Sequence, residues 1–103
     1  MNTSANFAER VWLAVSPDGR ECQVALRVQA PLQQPRGEWS CAVSLGALDE
    51  RSDTVAGMDS WQALEQAMFH VAKRIQSFER QGWRFYWGPE REAASPSELS
   101  RGV

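Results

Sequence analysis

The sequence predicts an α+β domain, an antiparallel sheet of four to five strands with one long helix packed across one face. Three observations predict this class: alternating apolar residues up to residue 45, an apolar stripe at helical spacing over 61–78, and a closing aromatic run over 83–87. A chain of 103 residues suffices for one core. We therefore expect a single domain over residues 1–88 and a flexible C-terminal tail over 89–103, where Pro, Glu and Ser are frequent.

The first two strands are expected to form a hairpin. Val11, Leu13 and Val15 alternate with Trp12 in the first strand, and we expect the two valines and Leu13 to face the core. Residues 16–19, Ser-Pro-Asp-Gly, supply the tight turn, because proline presets φ and glycine accepts a positive φ. The second strand directs its apolar set inward: Cys22, Val24, Leu26 and Val28.

Three further strands complete the sheet. Residues 31–37 contain two prolines and a glycine and form a longer connection, after which a third strand begins near Glu38 and a short fourth covers 54–56. A fifth strand, 83–87, follows the helix. In an up-and-down arrangement it pairs antiparallel with strand one and gives the order 5-1-2-3-4, which we prefer. Beside strand four it would run parallel and need a right-handed crossover.

The two cysteines are expected to be free thiols. If the connection between strands two and three is centred near Gln34, Cys41 lies opposite Arg27. At about 3.3 Å per residue the thiols of Cys22 and Cys41 are then roughly 16 Å apart, too far for a disulfide. We therefore interpret both as small core residues.

The helix is expected to begin after Asp59 and to end at Gly82. Asp59 can accept a hydrogen bond from the first turn, and Gln62 can reach back to the Asp59 N–H in a capping box. Gly82 supplies the left-handed residue that closes the helix. Six apolar residues at spacings of three and four are expected to face the sheet: Trp61, Leu64, Met68, Val71, Ile75 and Phe78.

The helix start at 57–64, Gly-Met-Asp-Ser-Trp-Gln-Ala-Leu, is followed by Ala67 and later by an aromatic strand that ends in Trp87-Gly88. In these features the chain resembles a family of small, mostly bacterial domains of unknown function, with a G-x-D-S-x-Q-A-L helix start and a C-terminal aromatic strand ending in W-G. The resemblance implies several strands, a long helix and a final strand. It implies no catalytic residue.

Composition and motifs argue against several functions. Lys and Arg number 11 against 13 Asp and Glu, a net charge of -2, and no window concentrates the basic residues, so we expect no nucleic-acid partner. No apolar stretch reaches membrane length and the first residues lack a signal-peptide core, so we expect a cytoplasmic protein without a membrane partner. His70 is the only histidine and is expected on the solvated helix face, which favours no metal site, no cofactor and no Cys-His pair.

The candidate site is the sheet face that the helix leaves uncovered. Trp12 and Tyr86 are expected there on neighbouring strands, with Arg27 and Arg84 close by and small residues around them. Trp, Tyr and Arg are enriched at the centres of protein interfaces. We therefore interpret the chain as a non-catalytic interaction domain that binds a second copy or another protein. An ordinary exposed sheet face of mixed polarity is about as consistent with these residues.

Two other interpretations stay open. A small inhibitor or immunity-type protein would block a partner enzyme through the acidic loop 49–53. The carboxylates of that loop lack the spacing of a calcium site and more often form a solvated turn. An enzyme with a pocket between helix and sheet is the third interpretation, although no acid, base and nucleophile converge in the sequence.

Overall fold

The computed structural model describes residues 7–103. Its elements follow the expected order of strands, one long helix and a last strand. They are β1 (Phe7–Val15), β2 (Glu21–Gln29), β3 (Leu32–Gln33), β4 (Trp39–Ser44), β5 (Ser52–Gly57), α1 (Ser60–Arg80) and β6 (Arg84–Tyr86), with 3-10 turns at Gly46–Leu48 and Pro96–Glu98. The α+β class is confirmed.

All strand pairs of the sheet are antiparallel. β6 lies beside β1, followed by β2, β4 and β5, and the two-residue β3 continues along the edge of β4 beyond the end of β2. The last strand pairs with β1 through a register that sets Leu13 opposite Tyr86. The expected order 5-1-2-3-4 is therefore confirmed, and the parallel alternative is wrong.

The β1–β2 hairpin decides which residues of β1 are buried. Its turn is closed by the Gly19 N–H, which donates to the Ser16 carbonyl at 2.9 Å. The register around this turn sets Trp12 opposite Val24, on the face that carries the core, and Trp12 is only 1% exposed. The expectation that Trp12 lies on the uncovered face is wrong, because the hairpin register pairs it with the buried set of β2.

The β2–β4 connection also shifts a register. Its turn is closed by the Gly37 N–H, which donates to the carbonyl three residues earlier, and it is centred later than the sequence indicates. Arg27 therefore lies opposite Ser44 rather than Cys41, which corrects the expected register. Cys22 and Cys41 are both free, as expected.

Both ends of α1 are closed by the expected residues. Asp59 Oδ1 accepts a hydrogen bond of 2.7 Å from the Gln62 N–H, and Gln62 Oε1 accepts one of 2.7 Å from the Met58 N–H. The reciprocal bond thus reaches one residue further back than in a capping box. At the other end Gly82 has φ 103°, and the Trp83 N–H donates back into the last helical turn.

α1 packs chiefly on β4 and β5. Its buried residues are Ala63, Ala67, Val71, Ala72 and Ile75. Gly57 lies so close to the helix that a Cβ atom there would be 2.3 Å from the Ala63 nitrogen. This close approach turns the alanine side of the helix toward the sheet. Trp61, which the apolar stripe places in the core, is consequently 74% exposed.

Aromatic side chains and the C-terminal segment, residues 93–103, complete the core beside β1 and β6. Trp12 contacts the rings of Phe85 and Trp87 at centroid distances of 6.2 Å and 5.6 Å. The Ala94 N–H donates to the Phe85 carbonyl at 2.9 Å, and Ala94 is buried. The segment therefore packs on the domain, where the composition predicts a flexible tail.

Gly57→Ala should destabilise the domain, because the added methyl group meets main-chain atoms of Ala63. Overpacking of this kind costs about 1–3 kcal/mol, and we expect the upper part of that range. Urea unfolding followed by circular dichroism measures the difference. Gly88→Ala is the matched control, because nothing lies within 4 Å of a Cβ atom built there, and it should change stability by less than about 0.5 kcal/mol. Equal unfolding midpoints for the two variants would contradict this packing.

The Ala94 amide should exchange slowly with solvent, since the residue is buried and its N–H is bonded to the Phe85 carbonyl. Native-state hydrogen exchange followed by NMR measures the rate. Glu90 is the internal reference, because its N–H makes no main-chain hydrogen bond within the described residues. Similar protection factors for the two amides would show that the C-terminal segment is not packed in solution.

Candidate functional site

The candidate site is the outer face of the sheet, the side opposite α1. It is formed by the odd-numbered residues of β1 and β2 and the even-numbered residues of β4, β5 and β6. Its apolar members form a strip along β1 and the neighbouring strands: Phe7, Val11, Leu13, Val15, Ala25, Ala42 and Tyr86. Val11 is 42% exposed and Phe7 37%. The strip is an apolar surface that no helix of residues 7–103 covers.

Two pairs of oppositely charged side chains border the outer face. Arg27 Nε lies 2.6 Å from Glu9 Oε2, and the guanidinium lies 4.8 Å from the ring centre of Phe7. Arg91 forms an ion pair with Glu21. These pairs cancel charge locally, so the apolar strip is bordered by polar but nearly neutral groups.

A hollow of about 550 Å³ lies where the outer face meets the turn after β6. Val11 and Leu13 line its strand side, and Pro89 and Arg91 line its turn side. Its volume falls within the range of small-ligand pockets. A hollow with apolar and charged walls suits a large side chain of a protein partner.

Three of the four residues expected on this face are there. Arg27, Arg84 and Tyr86 belong to the outer face. Trp12 is buried on the core face, and its assignment is corrected. Aliphatic residues of β1, mainly Val11, lie on the outer face instead of Trp12. The alternation alone assigned these residues to the core. The signal that identifies these aliphatic residues is the length of the hairpin turn. It decides whether the odd- or the even-numbered residues of β1 lie opposite the buried residues of β2.

A polar cluster, defined as Asp49, Arg51, Asp53, His70 and Arg74, joins the loop before β5 to α1. Arg74 Nη2 lies 2.8 Å from Asp49 Oδ2, and Arg74 Nη1 lies 3.3 Å from Asp53 Oδ2. His70 Nε2 lies 2.9 Å from the same Asp53 oxygen. His70 is therefore half-buried and paired, whereas the sequence places it on a solvated face.

The polar cluster neutralises the acidic loop. Hydrogen bonds from Arg51 and then from Arg74 hold the pKa of Asp49 below its usual value. The bond with His70, together with the charge of Arg74, lowers the pKa of Asp53. Both carboxylates are charged at neutral pH and already paired, so the loop presents less free negative charge than its sequence indicates.

The part of the chain that the structure describes brings one candidate general base, His70, against the carboxylate of Asp53. It holds no group of three or more His, Cys, Asp or Glu side chains that would ligate a metal. Burial raises the pKa of the Cys41 thiol, which keeps it protonated near neutral pH. Within residues 7–103, no helix has both the length and the apolar character needed to cross a bilayer.

A groove of about 270 Å³ lies between α1, the sheet and the C-terminal segment. Its walls are mainly aliphatic: Leu26, Val28, Met68, Val71 and Leu99. At its side Arg10 donates to the Glu98 carbonyl at 2.7 Å, and the Glu98 carboxylate accepts a hydrogen bond from Trp87 Nε1 at 3.1 Å. Because these polar groups bond to one another, the groove offers no acid and base ready for proton transfer.

Comparison with protein families matches residues 8–96 to a domain of unknown function, DUF6968. The chain belongs to this family. The DUF6968 match covers α1 and all the strands except the first residue of β1, and it extends past residue 88 into the C-terminal segment. Comparison with curated proteins and with solved structures finds no match. The DUF6968 description names no activity, so the outer face is judged on its geometry.

Pairing in the polar cluster should make the stability of the domain fall at acid pH. The pKa values of Asp49 and Asp53 are lower in the folded protein than the value near 3.9 usual for aspartate. Their contribution to stability is therefore present above about pH 4 and is lost as pH falls through the folded-state values. Urea midpoints measured from neutral pH down to about pH 2 follow this loss.

The Asp49→Asn/Asp53→Asn variant should be less stable than the natural chain at neutral pH and should approach it in acid. Glu50→Gln is the control from the same loop, since Glu50 forms no ion pair within the described residues. Its curve should follow that of the natural chain. A constant offset between the double variant and the natural chain at every pH would contradict the proposed origin of the acid sensitivity.

Proposed function

We propose that this chain is a non-catalytic protein-interaction domain that self-associates through the outer face of its sheet. The observation that carries the proposal is the exposed apolar strip along β1, in which Val11 and Phe7 are the most exposed large residues. Exposed apolar surface of this kind on a small domain favours association. Face-to-face packing of two copies would gain about 25 cal/mol for each Å² of apolar surface removed from water.

The border of the strip supports the same proposal. Glu9 and Arg27 are already paired at one position and Glu21 and Arg91 at another, so burying the strip leaves few isolated charges. Arg84, whose guanidinium donates to a neighbouring carbonyl, forms no ion pair within the described residues. It is the border residue best placed to pair with a partner's carboxylate.

The alternative function, an inhibitor or immunity-type protein that binds an enzyme through the loop 49–53, has less support. Asp49 and Asp53 are engaged by arginine and histidine side chains of the same chain. Glu50 is exposed and is the carboxylate of this loop that stays available to a partner. A single available carboxylate provides little negative charge for recognising a basic active site.

The proposal includes a cytoplasmic location and a bacterial origin. Two free thiols in a short chain suit a reducing compartment. The helix start at 57–64 resembles that of mostly bacterial domains. Fractionation of the native host, with the protein detected in each fraction, tests the location.

Val11→Lys should weaken self-association, because it places a hydrated charge in the middle of the strip while the exposed position lets the domain fold. We expect the dissociation constant to rise about ten-fold or more, equivalent to about 1.4 kcal/mol. Sedimentation equilibrium over a concentration series measures it.

Phe69→Lys is the matched control, since Phe69 is a similarly exposed apolar residue that lies on α1, away from the outer face. It should associate like the natural chain. If both lysine variants behave alike, or if the natural chain is monomeric at every concentration, association through the outer face is excluded.

A further inference from the structure

The two edges of the sheet differ in how the chain treats them. Along the free side of β6, Tyr86 bridges to Ala93, and the Trp87 N–H donates to the Glu92 carbonyl at 2.8 Å. The returning chain thus shields that edge. At the other end of the sheet β5 pairs with β4 on one side, and no strand within residues 7–103 pairs with its other side.

β5 has the properties of a strand that accepts a partner. It spans Ser52–Gly57 without proline or lysine, and its register with β4 is continuous, without a bulge. Alternate residues of an antiparallel strand direct their N–H and C=O groups away from the paired neighbour, so part of its main chain points outward. Natural edge strands are usually protected by lysine, proline or a bulge. β5 has none of these protections.

The negative charge of β5 is paired with side chains of α1. Asp53 is its only charged residue, and an inward-pointing charge can protect an edge strand. His70 and Arg74 hold the Asp53 carboxylate against the helix. The residues on the outer face of β5 are small and exposed: Ser52, Thr54 and Ala56. Neither side of the strand therefore opposes a neighbour by charge or by bulk.

We propose that β5 pairs antiparallel with β5 of a second copy of this chain, so that the two sheets become one continuous sheet. Residues directly opposite each other in such a pair direct their side chains to the same face. When the register is centred on a residue, that residue lies opposite itself in the second copy. The α1 helices of both copies then lie on the same face of the joined sheet. Centring on Val55 sets Val55 opposite Val55 of the second copy and Thr54 opposite its Ala56.

The charges at the ends of β5 favour this register and favour a second copy as the occupant. With Val55 at the centre, Arg51, which pairs with Asp49 of its own chain but is largely exposed, comes opposite Asp59 of the second copy. The same juxtaposition repeats at the other end. Centring on Thr54 would instead set Asp49 opposite Asp59. The residues that flank the strand thus bring opposite charges toward each other when two copies pair, which an unrelated extended peptide would have to match.

This interface uses main-chain groups at the edge and is separate from the outer face, so it does not depend on the proposed function. A pair of copies joined through β5 presents its two outer faces side by side on one surface. The edge and the face can therefore be tested independently.

Thr54→Lys/Ala56→Lys tests the edge in the Val11→Lys background, because Thr54 and Ala56 also lie on the outer face and Val11→Lys already weakens association through that face. Lysine on an edge strand blocks pairing, and the exposed positions allow folding, which circular dichroism checks. Sedimentation velocity should show the Val11→Lys chain as a dimer at concentrations where the chain with all three lysines is monomeric, with a dissociation constant about ten-fold higher or more. Gln33→Lys/Gln81→Lys in the same background adds the same charge at exposed positions away from β5 and should leave the dimer unchanged.

Val11→Lys alters the outer face and should also leave the β5 dimer intact. The proposal is overturned if the natural chain is monomeric throughout, or if the edge variant associates as strongly as its Gln33→Lys/Gln81→Lys control. If the natural chain associates and Val11→Lys does not, β5 pairing is likewise excluded. That result would support association through the outer face. Capture of an unrelated extended peptide by a monomeric chain would identify a different occupant and overturn self-pairing.

Disulfide formation tests the register. Opposed Cβ atoms lie about 4.5–5.5 Å apart, whereas diagonal positions lie about 7–8 Å apart. A mixture of Thr54→Cys and Ala56→Cys chains should therefore cross-link faster under mild oxidation than either variant alone, as measured by mass spectrometry of the intact dimer. The natural Cys22 and Cys41 are present in all samples and supply the background rate. Equal rates in the three samples would overturn the register centred on Val55.

Discussion

The close approach of α1 to the end of β5 is the contact on which the rest of the structure depends. Gly57 has no side chain and Ala63 a small one, so the main chains of strand and helix meet directly. This contact sets the rotation of α1, with its alanines toward the sheet and Trp61 away from it. It also holds the helix over β4 and β5. The core beside β1 and β6 is consequently filled by Trp12, Phe85 and the C-terminal segment.

The same arrangement explains why the outer face is apolar along β1. A strand in an antiparallel sheet with one covered face normally carries polar residues on its other side. β1 instead has Trp12 and Ala14 toward the core and Val11 and Leu13 on the outer face. A strand that is apolar on both sides is typical of a sheet covered on both faces. The outer face therefore carries more apolar surface along β1 than an antiparallel sheet face open to solvent usually does.

The class, strand order and helix caps follow from the sequence because they depend on local signals, namely alternation, turn residues and capping side chains. The side of β1 that faces the core could not be read from alternation, since both sides are apolar. The turn closed by Ser16 and Gly19 holds that information, because it aligns Trp12 with Val24. The polar cluster was beyond sequence reasoning, since Asp53 and its partner on α1 are brought together only by the packing of the helix.

Charge pairing within the chain limits what either proposed interface can use. The carboxylates of Glu9, Glu21 and Asp53 are each matched by a cationic side chain of the same molecule, and the net charge is only -2. Long-range attraction therefore contributes little, and association would depend on apolar area at the outer face and on main-chain hydrogen bonds at β5. The outer face and the β5 edge point in perpendicular directions, and one uses apolar side chains while the other uses main-chain groups. Neither interface excludes the other, so a chain that used both would assemble beyond a dimer.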